Sequence, residues 1–276
     1  MKLTYYGTAA AEGVPALYCS CDTCKYSRAH GGKNIRTRSQ ALVNDSLLID
    51  MPPDTLYHFQ HLGLPLNEIE YVLITHKHSD HLHPPTINVR SKGFVTHDIS
   101  PINIYGSMPT IDLIFDELRK SGVKDRGVWN LYEIAPFETK SIGGFNVTPY
   151  KANHDFHTYP YIYEIFDGEK RLLYGHDTGL FLDETWHYLE AGRPYFNLVS
   201  LDCTMGVASS SGHHHMNVDD CVKVKEKLIS LGCADENTVF VLNHFSHNGH
   251  ISYDELVSTA EKHGFLVSYD GMVIEF

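Results

Sequence analysis

Nothing in the 276-residue sequence approaches the run of about 20 apolar residues that a membrane-spanning helix requires, so no span is expected. The opening residues, MKLTYYGTAAAEGVP, also lack the unbroken apolar stretch of a secretory signal, and the expected location is the cytoplasm. Positive charge is scarce. Lys and Arg number 22 against 34 Asp and Glu, and the net charge of −12 gives a field that repels polyanions, so long nucleic acids are not expected as partners. Cysteines are six: Cys19, Cys21 and Cys24 are too crowded, and Cys203, Cys221 and Cys233 too scattered, for a disulfide framework, which leaves bound metal or free thiols. No Pro/Ser-rich linker, low-complexity tract or internal repeat interrupts the chain, so a single domain over residues 1–276 is expected.

What the sequence has in excess is histidine, 19 in all, and imidazole is the commonest metal ligand among side chains. The pattern around these histidines is regular. Short apolar runs end abruptly in polar or ionisable residues: ALV and LLI early, YVLITH at 71–76, RLLYGHD at 171–177, LVSLDC at 198–203 and TVFVLNH at 238–244. They predict buried strands that deliver chemistry at their carboxyl ends. Amphipathic stretches with capping residues in front and glycine behind predict helices over 54–63, 109–122, 217–232 and 252–264. Turn signals at Asn44-Asp45 and Asp167-Gly168 predict hairpins, and a fresh set of strands beginning near residue 140 hints at two similar layers. The loop from Pro84 to Pro101 carries no readable feature.

The densest cluster is THKHSDH, residues 75–81. On an extended segment His76 and His78 project to one side and can reach one ion, while Asp80 and His81 fall just beyond, where a turn aims them at a second. Partners for them stand at other strand ends: His154 in KANHD, Asp177 in YGHDTG and His244 in VLNHFSH. This T-H-x-H-x-D-H motif with isolated His, Asp and His resembles the metallo-β-lactamase superfamily. The resemblance implies an α/β fold of the αββα sandwich type, with His76, His78 and His154 on one divalent ion, Asp80, His81 and His244 on a second, and Asp177 bridging both. A water between two such ions gives up its proton near neutral pH, as one zinc alone lowers its pKa to about 7.

YCSCDTCK offers three thiolates spaced C-x-C-x2-C, suited to zinc or an iron–sulfur cluster. GTAAAEGVPALYCSCDTC, THKHSDH, NHFSHNGH and SYDGMVIEF together resemble the phosphoribosyl 1,2-cyclic phosphodiesterases of phosphonate catabolism. That likeness implies a structural zinc on Cys19, Cys21, Cys24 and His247, with His250 next in line. It also implies hydrolysis of a small cyclic phosphodiester, 5-phosphoribosyl 1,2-cyclic phosphate, by hydroxide between two ions, with manganese or zinc there and iron as a further option.

A sugar alkoxide is a poor leaving group that benefits from a positioned acid. In GHHHMN, His215, ahead of its neighbours His213 and His214, fits the place where phosphodiesterases of the superfamily carry a histidine. Lys33, Arg36 and Arg38 form a basic run that either meets a substrate phosphate or is merely solvated. His176 and His157 are weaker pocket candidates. Two other readings compete: an RNA 3′-processing nuclease of the same superfamily, and a non-catalytic binder resembling the pyrroloquinoline-quinone biosynthesis protein that shares the cysteine loop. The sequence leaves a homodimer open.

Overall fold

The computed structural model describes residues 1–91, 93–122 and 128–276. Strands β1 (Lys2–Gly7), β2 (Gln40–Val43), β3 (Leu47–Ile49), β4 (Tyr71–Leu73), β5 (Ile102–Gly106) and β6 (Trp129–Glu133) lie side by side in chain order in a first sheet. A second sheet repeats the scheme with β7 (Lys140–Ile142), β8 (Phe145–Lys151), β9 (Tyr161–Phe166), β10 (Arg171–Gly175), β11 (Leu198–Asp202), β12 (Val239–Asn243) and β13 (Leu266–Val267). The last strand, β14 (Met272–Glu275), returns to pair antiparallel with β1. Each sheet opens with antiparallel pairs and continues in parallel, from β3 onward in the first and from β10 onward in the second. The boundary that the sequence hints at near residue 140 is the start of β7.

Seven α-helices are seen among the described residues: α1 (Asp22–His30), α2 (Thr55–His61), α3 (Pro84–Asn88), α4 (Met108–Lys120), α5 (Asp183–Gly192), α6 (Val218–Ser230) and α7 (Tyr253–Ala260). None is long and apolar enough to cross a membrane. The four predicted helices are present as α2, α4, α6 and α7, each ending a few residues early; after α7 the last turn tightens into a 3-10 turn over Glu261–His263. Asn217 caps α6 by accepting the Asp220 N–H, and Ser252 with Glu255 forms a capping box on α7. α1 and α5 are additions, and α3 begins on the two prolines of the loop that was unreadable in sequence.

The layers follow from where apolar side chains go. Between the sheets pack Leu3, Tyr5, Leu47, Ile49 and Leu73 from one and Val147, Tyr163, Leu172, Tyr174 and Val241 from the other. The opposite faces are covered by helices: Leu42, Leu48, Val72 and Ile104 meet Ile114 and Leu118 of α4, while Val199, Leu201 and Leu242 meet Leu189, Val224, Leu228 and Leu256. Strands covered on both faces have to be apolar throughout, which is why runs such as LVSLD are continuous rather than alternating. The result is the predicted αββα sandwich. Asn44 and Asp45 both take left-handed backbone (φ 45° and 56°) in the three-residue connection from Val43 to its partner Leu47, and Gly168 (φ 101°) serves the second hairpin.

Candidate metal centre

Parallel strands place their carboxyl ends along one edge of the sandwich, and chemistry gathers there. β4 itself stops at Leu73, so His76 and His78 stand in the loop beyond it rather than on the extended strand expected from YVLITH. That loop then tightens, with the N–H groups of His81 and Leu82 both donating to the His78 carbonyl, and this brings Asp80 and His81 round. His154 follows β8, Asp177 follows β10 and His244 follows β12. Asp177 (φ 55°), His244 (φ 61°) and, after β3, Asp50 (φ 67°) leave their strands through left-handed backbone.

The seven residues named from sequence converge. His76 Nε2 is 2.8 Å from His78 Nδ1, which lies 3.2 Å from His154 Nε2. His81 Nε2 is 3.3 Å from His244 Nε2 and 3.3 Å from the Asp80 carboxylate. Asp177 sits between the groups: Oδ2 is 3.1 Å from His76 Nε2 and 3.2 Å from His81 Nε2, while Oδ1 is 3.4 Å from His154 Nδ1. Two four-residue sets result, His76, His78, His154, Asp177 and Asp80, His81, Asp177, His244, each with its ligand atoms within 4.8 Å of one another. The surroundings fit a metal ion. Asp177 Oδ1 is buried without a hydrogen-bond partner among the described residues, although buried carboxylates normally have one. Burial pushes His76 down to about 3 and also lowers His154, keeping their lone pairs available. Desolvation works against ionised Asp177, but His244, His76, His81 and His154 outweigh it and hold the carboxyl well below its ordinary value.

Two carboxylates that the sequence reading gave no role orient these rings. Asp50 stands 2.7 Å from His81 Nδ1 and also accepts the Thr75 N–H at 2.8 Å, so His81 presents Nε2 to the cluster. Asp202, at the end of β11, is 3.1 Å from His244 Nδ1, and the Thr204 hydroxyl is 2.8 Å from the same nitrogen. Both aspartates follow apolar runs quoted above, LLI and LVSL, so the strand-end rule extends to them. Asp50→Asn keeps the shape and removes the charge behind His81; metal affinity is expected to fall by about 10–100-fold with little change in thermal unfolding, measured by competition with a chelator.

His215 is held by the same device. Its Nδ1 is 3.2 Å from Asp202 Oδ2 and 3.3 Å from Asp177 Oδ1. Burial alone lowers its pKa, but Asp202, Asp177 and Asp80 raise it to about 9. His213 and His214 are exposed, and His214 contributes only its carbonyl, 3.2 Å from His154 Nδ1.

Across the cysteine loop, the thiols of Cys19 and Cys21 lie 3.6 and 3.5 Å from His247 Nδ1, and with buried Cys24 these four residues place their ligand atoms within 4.8 Å of one another. Desolvation resists ionisation of Cys21, yet the Cys24 N–H and His247 bring its thiol down to about 6. His250 is exposed and stands outside the group.

The basic run does not form a phosphate site. Arg36 is buried and donates to the Thr8 hydroxyl and the Ser268 carbonyl, Arg38 pairs with Asp54 at 3.1 Å, and Lys33 lies over the Tyr269 ring. A solvated run fails as well for Arg36, since the apolar Phe245 ring covers its guanidinium. His176 is buried and turned to Ser200 and Asn243, bracing strands, and His157 is exposed.

The sandwich, with its His and Asp side chains gathered at one edge, has the architecture of the metallo-β-lactamase fold. The chain belongs to the beta-lactamase superfamily: the profile of the beta-lactamase superfamily domain matches residues 46–262. Structures of similar fold include zinc-bound PqqB from Methylobacterium extorquens, 19% identical with a TM-score of 0.77 over 100% of both chains. A diphosphatase of the PhnP family is 20% identical with a TM-score of 0.73, covering 100% of this chain and 97% of that one. Among curated proteins, ribonuclease Z of Staphylococcus saprophyticus is 24% identical over 161 residues, 58% of this chain and 48% of its own. The octanoyltransferase of Porphyromonas gingivalis is 26% identical over 162 residues, 56% of this chain and 31% of its own. The chain thus spans about half the length of the first of these curated relatives, and less of the second.

Proposed function

We propose that this protein is a cytoplasmic metal-dependent phosphodiesterase that opens a small cyclic phosphodiester, the class to which the 5-phosphoribosyl 1,2-cyclic phosphate implied by the sequence resemblance belongs. Two divalent ions, manganese or zinc with iron as a further option, would be held by His76, His78, His154, Asp177 and by Asp80, His81, His244, Asp177. When bound, such ions supply Lewis acidity and a water that ionises near neutral pH. A zinc on Cys19, Cys21, Cys24 and His247 would be structural, since four protein ligands leave no open position. Residues 1–276 would act as one domain.

The observation that carries the reading is His215. Asp202 anchors its Nδ1 beside Asp177, and no protein partner reaches Nε2 among the described residues, so a proton on Nε2 is free to go to a departing sugar oxygen. Asp202 then stabilises the ring's charge and fixes its plane. A site that only bound a ligand would not need an anchored acid. His215→Ala is expected to lower turnover of an alkyl phosphodiester by about 10²–10⁴-fold while metal content stays the same. With p-nitrophenolate leaving, which needs no proton, the loss should be much smaller; equal losses with both leaving groups would remove His215 as the proton donor.

The class itself is tested with bis(p-nitrophenyl) phosphate against a β-lactam and a thioester, in added manganese, for wild type and Asp80→Ala. Phosphodiester cleavage that is absent, or indifferent to Asp80→Ala, would end the proposal. A precursor tRNA in the same assay tests the nuclease reading favoured by the ribonuclease Z relatives, against which the net charge of −12 weighs.

A further inference from the structure

A chain of buried polar groups runs directly behind the metal edge, through a core that is mainly apolar. Its centre is His176, the residue between β10 and Asp177. His176 Nε2 lies 2.6 Å from the Ser200 hydroxyl on β11, and Nδ1 lies 3.0 Å from the side-chain amide of Asn243 at the end of β12. The Tyr5 hydroxyl, from the first sheet, is 2.7 Å from Ser200, and the Ser268 hydroxyl donates to Asn243 Oδ1. Ser268 opens SYDGMVIEF, a stretch with no part in the ligand sets. These hydrogen bonds fix the state of the ring. Asn243 Oδ1 accepts from Ser268, so its NH2 faces His176 Nδ1; that nitrogen accepts, and the ring's proton sits on Nε2 and goes to Ser200.

Both ends of the connection stand one residue before a candidate ligand. His176 precedes Asp177 and Asn243 precedes His244, and these two ligands are the ones that leave the second sheet in left-handed backbone (φ 55° and 61°). β10 and β12 are not neighbours: β11 lies between them, and two strand spacings hold them about 9.5 Å apart. No ladder hydrogen bond crosses that gap. The imidazole does, taking Ser200 on the middle strand as a second support. A serine at position 176 would fall short, and a leucine would fill the space without bonding either side. Ser200 shares the inward face of its strand with Leu198, where an apolar side chain would pack without losing water, so the hydroxyl serves the ring rather than the core.

We infer that His176 is a positioning residue: with Asn243 it fixes the separation of Asp177 from His244, and thereby the geometry of the set Asp80, His81, Asp177, His244. Two of the four ligands in that set are held this way, against Asp177 alone in the set His76, His78, His154, Asp177. Asp202 accepts the Asp177 N–H at 3.1 Å, so loss of His176 shifts Asp177 rather than releasing it. The spacer acts on the ligand sets alone, whatever the substrate.

Manganese(II) titrated into the full chain and followed by electron paramagnetic resonance tests this, because free ion, single bound ion and coupled pair give different spectra. Imidazole and carboxylate suit manganese and thiolates do not, so the cysteine site stays out of the titration and two steps are expected. His244→Ala identifies the step of its own set by abolishing it. His176→Leu should weaken that step by about 10–100-fold and the other by less, while His176→Gln, whose amide keeps a donor and an acceptor, should restore most of the loss. Asn243→Leu should reproduce the loss, and combining it with His176→Leu should add little, since both cut one connection. Ser200→Ala removes only the hydroxyl that orients the ring and should weaken the same step to a smaller extent. A merely structural role would lower the midpoint of thermal unfolding and weaken both steps alike, or neither, and either result would overturn the inference. Should His176→Leu fail to fold, Ser200→Ala and the ring itself decide: an unchanged step, or a nitrogen NMR spectrum that puts the proton on Nδ1, removes the spacer.

Discussion

Asp177→Asn is expected to cost the enzyme both metal and turnover, with activity down by at least about 10²–10³-fold, the scale of a lost preorganised electrostatic contact. The reason is position. One Asp177 oxygen stands within 3.2 Å of both His76 and His81, and the other faces His154 and His215, so a single carboxylate serves both ligand sets. An amide of the same shape presents NH2 to imidazole lone pairs on one side and leaves a neutral oxygen on the other. It can neither share its atoms between two cations nor offset their charge. Elemental analysis of purified protein and steady-state assays measure the two losses together. A variant that keeps full metal content and normal turnover would show that Asp177 does not join the two sets.

Cys24→Ala should act on stability more than on chemistry. Cys24 is buried in the first turn of α1, Cys21 caps that helix, and their partner His247 lies 226 positions beyond Cys21, so a metal here closes nearly the whole chain into a loop. Structural zinc supplies about 10–16 kcal/mol to peptides that depend on it entirely. In this protein the two-sheet core folds around other contacts, and the expected loss is several kcal/mol, seen as a lower midpoint of thermal unfolding and one metal fewer per chain. A chelator should lower the wild-type midpoint and leave that of Cys24→Ala almost unchanged at the cysteine site. Because His244 lies three residues before His247, activity should fall too, through misplacement of His244 rather than loss of a ligand. An unfolding curve indifferent to both the chelator and the substitution would mean that these thiols are free.

The convergence of these side chains was legible because the segments that carry them follow apolar strands. THKHSDH is legible for a further reason: seven consecutive positions can satisfy two ligand sets only if the chain turns within them, and the His78 carbonyl makes that turn. Asp50 and Asp202 obey the strand-end rule equally, but a lone aspartate after a strand has many uses, and only three dimensions show that each points at Nδ1 of a clustered histidine. The basic run misled for a related reason. Positions 36 and 38, two apart, send their guanidiniums to different partners, one into a buried niche under Phe245 and one to Asp54. α5 escaped notice because its start carries no side-chain cap and its left-handed end falls on Arg193, one residue after Gly192.

The left-handed exits at Asp50, Asp177 and His244 set two demands against each other. Glycine would relax the backbone at each, where a side chain costs on the order of 1–3 kcal/mol, but glycine has no atom to give a cation or a ring. A search for hardier variants of this protein that scores only heat resistance would be drawn to these three places, and each success there would be an inert sandwich.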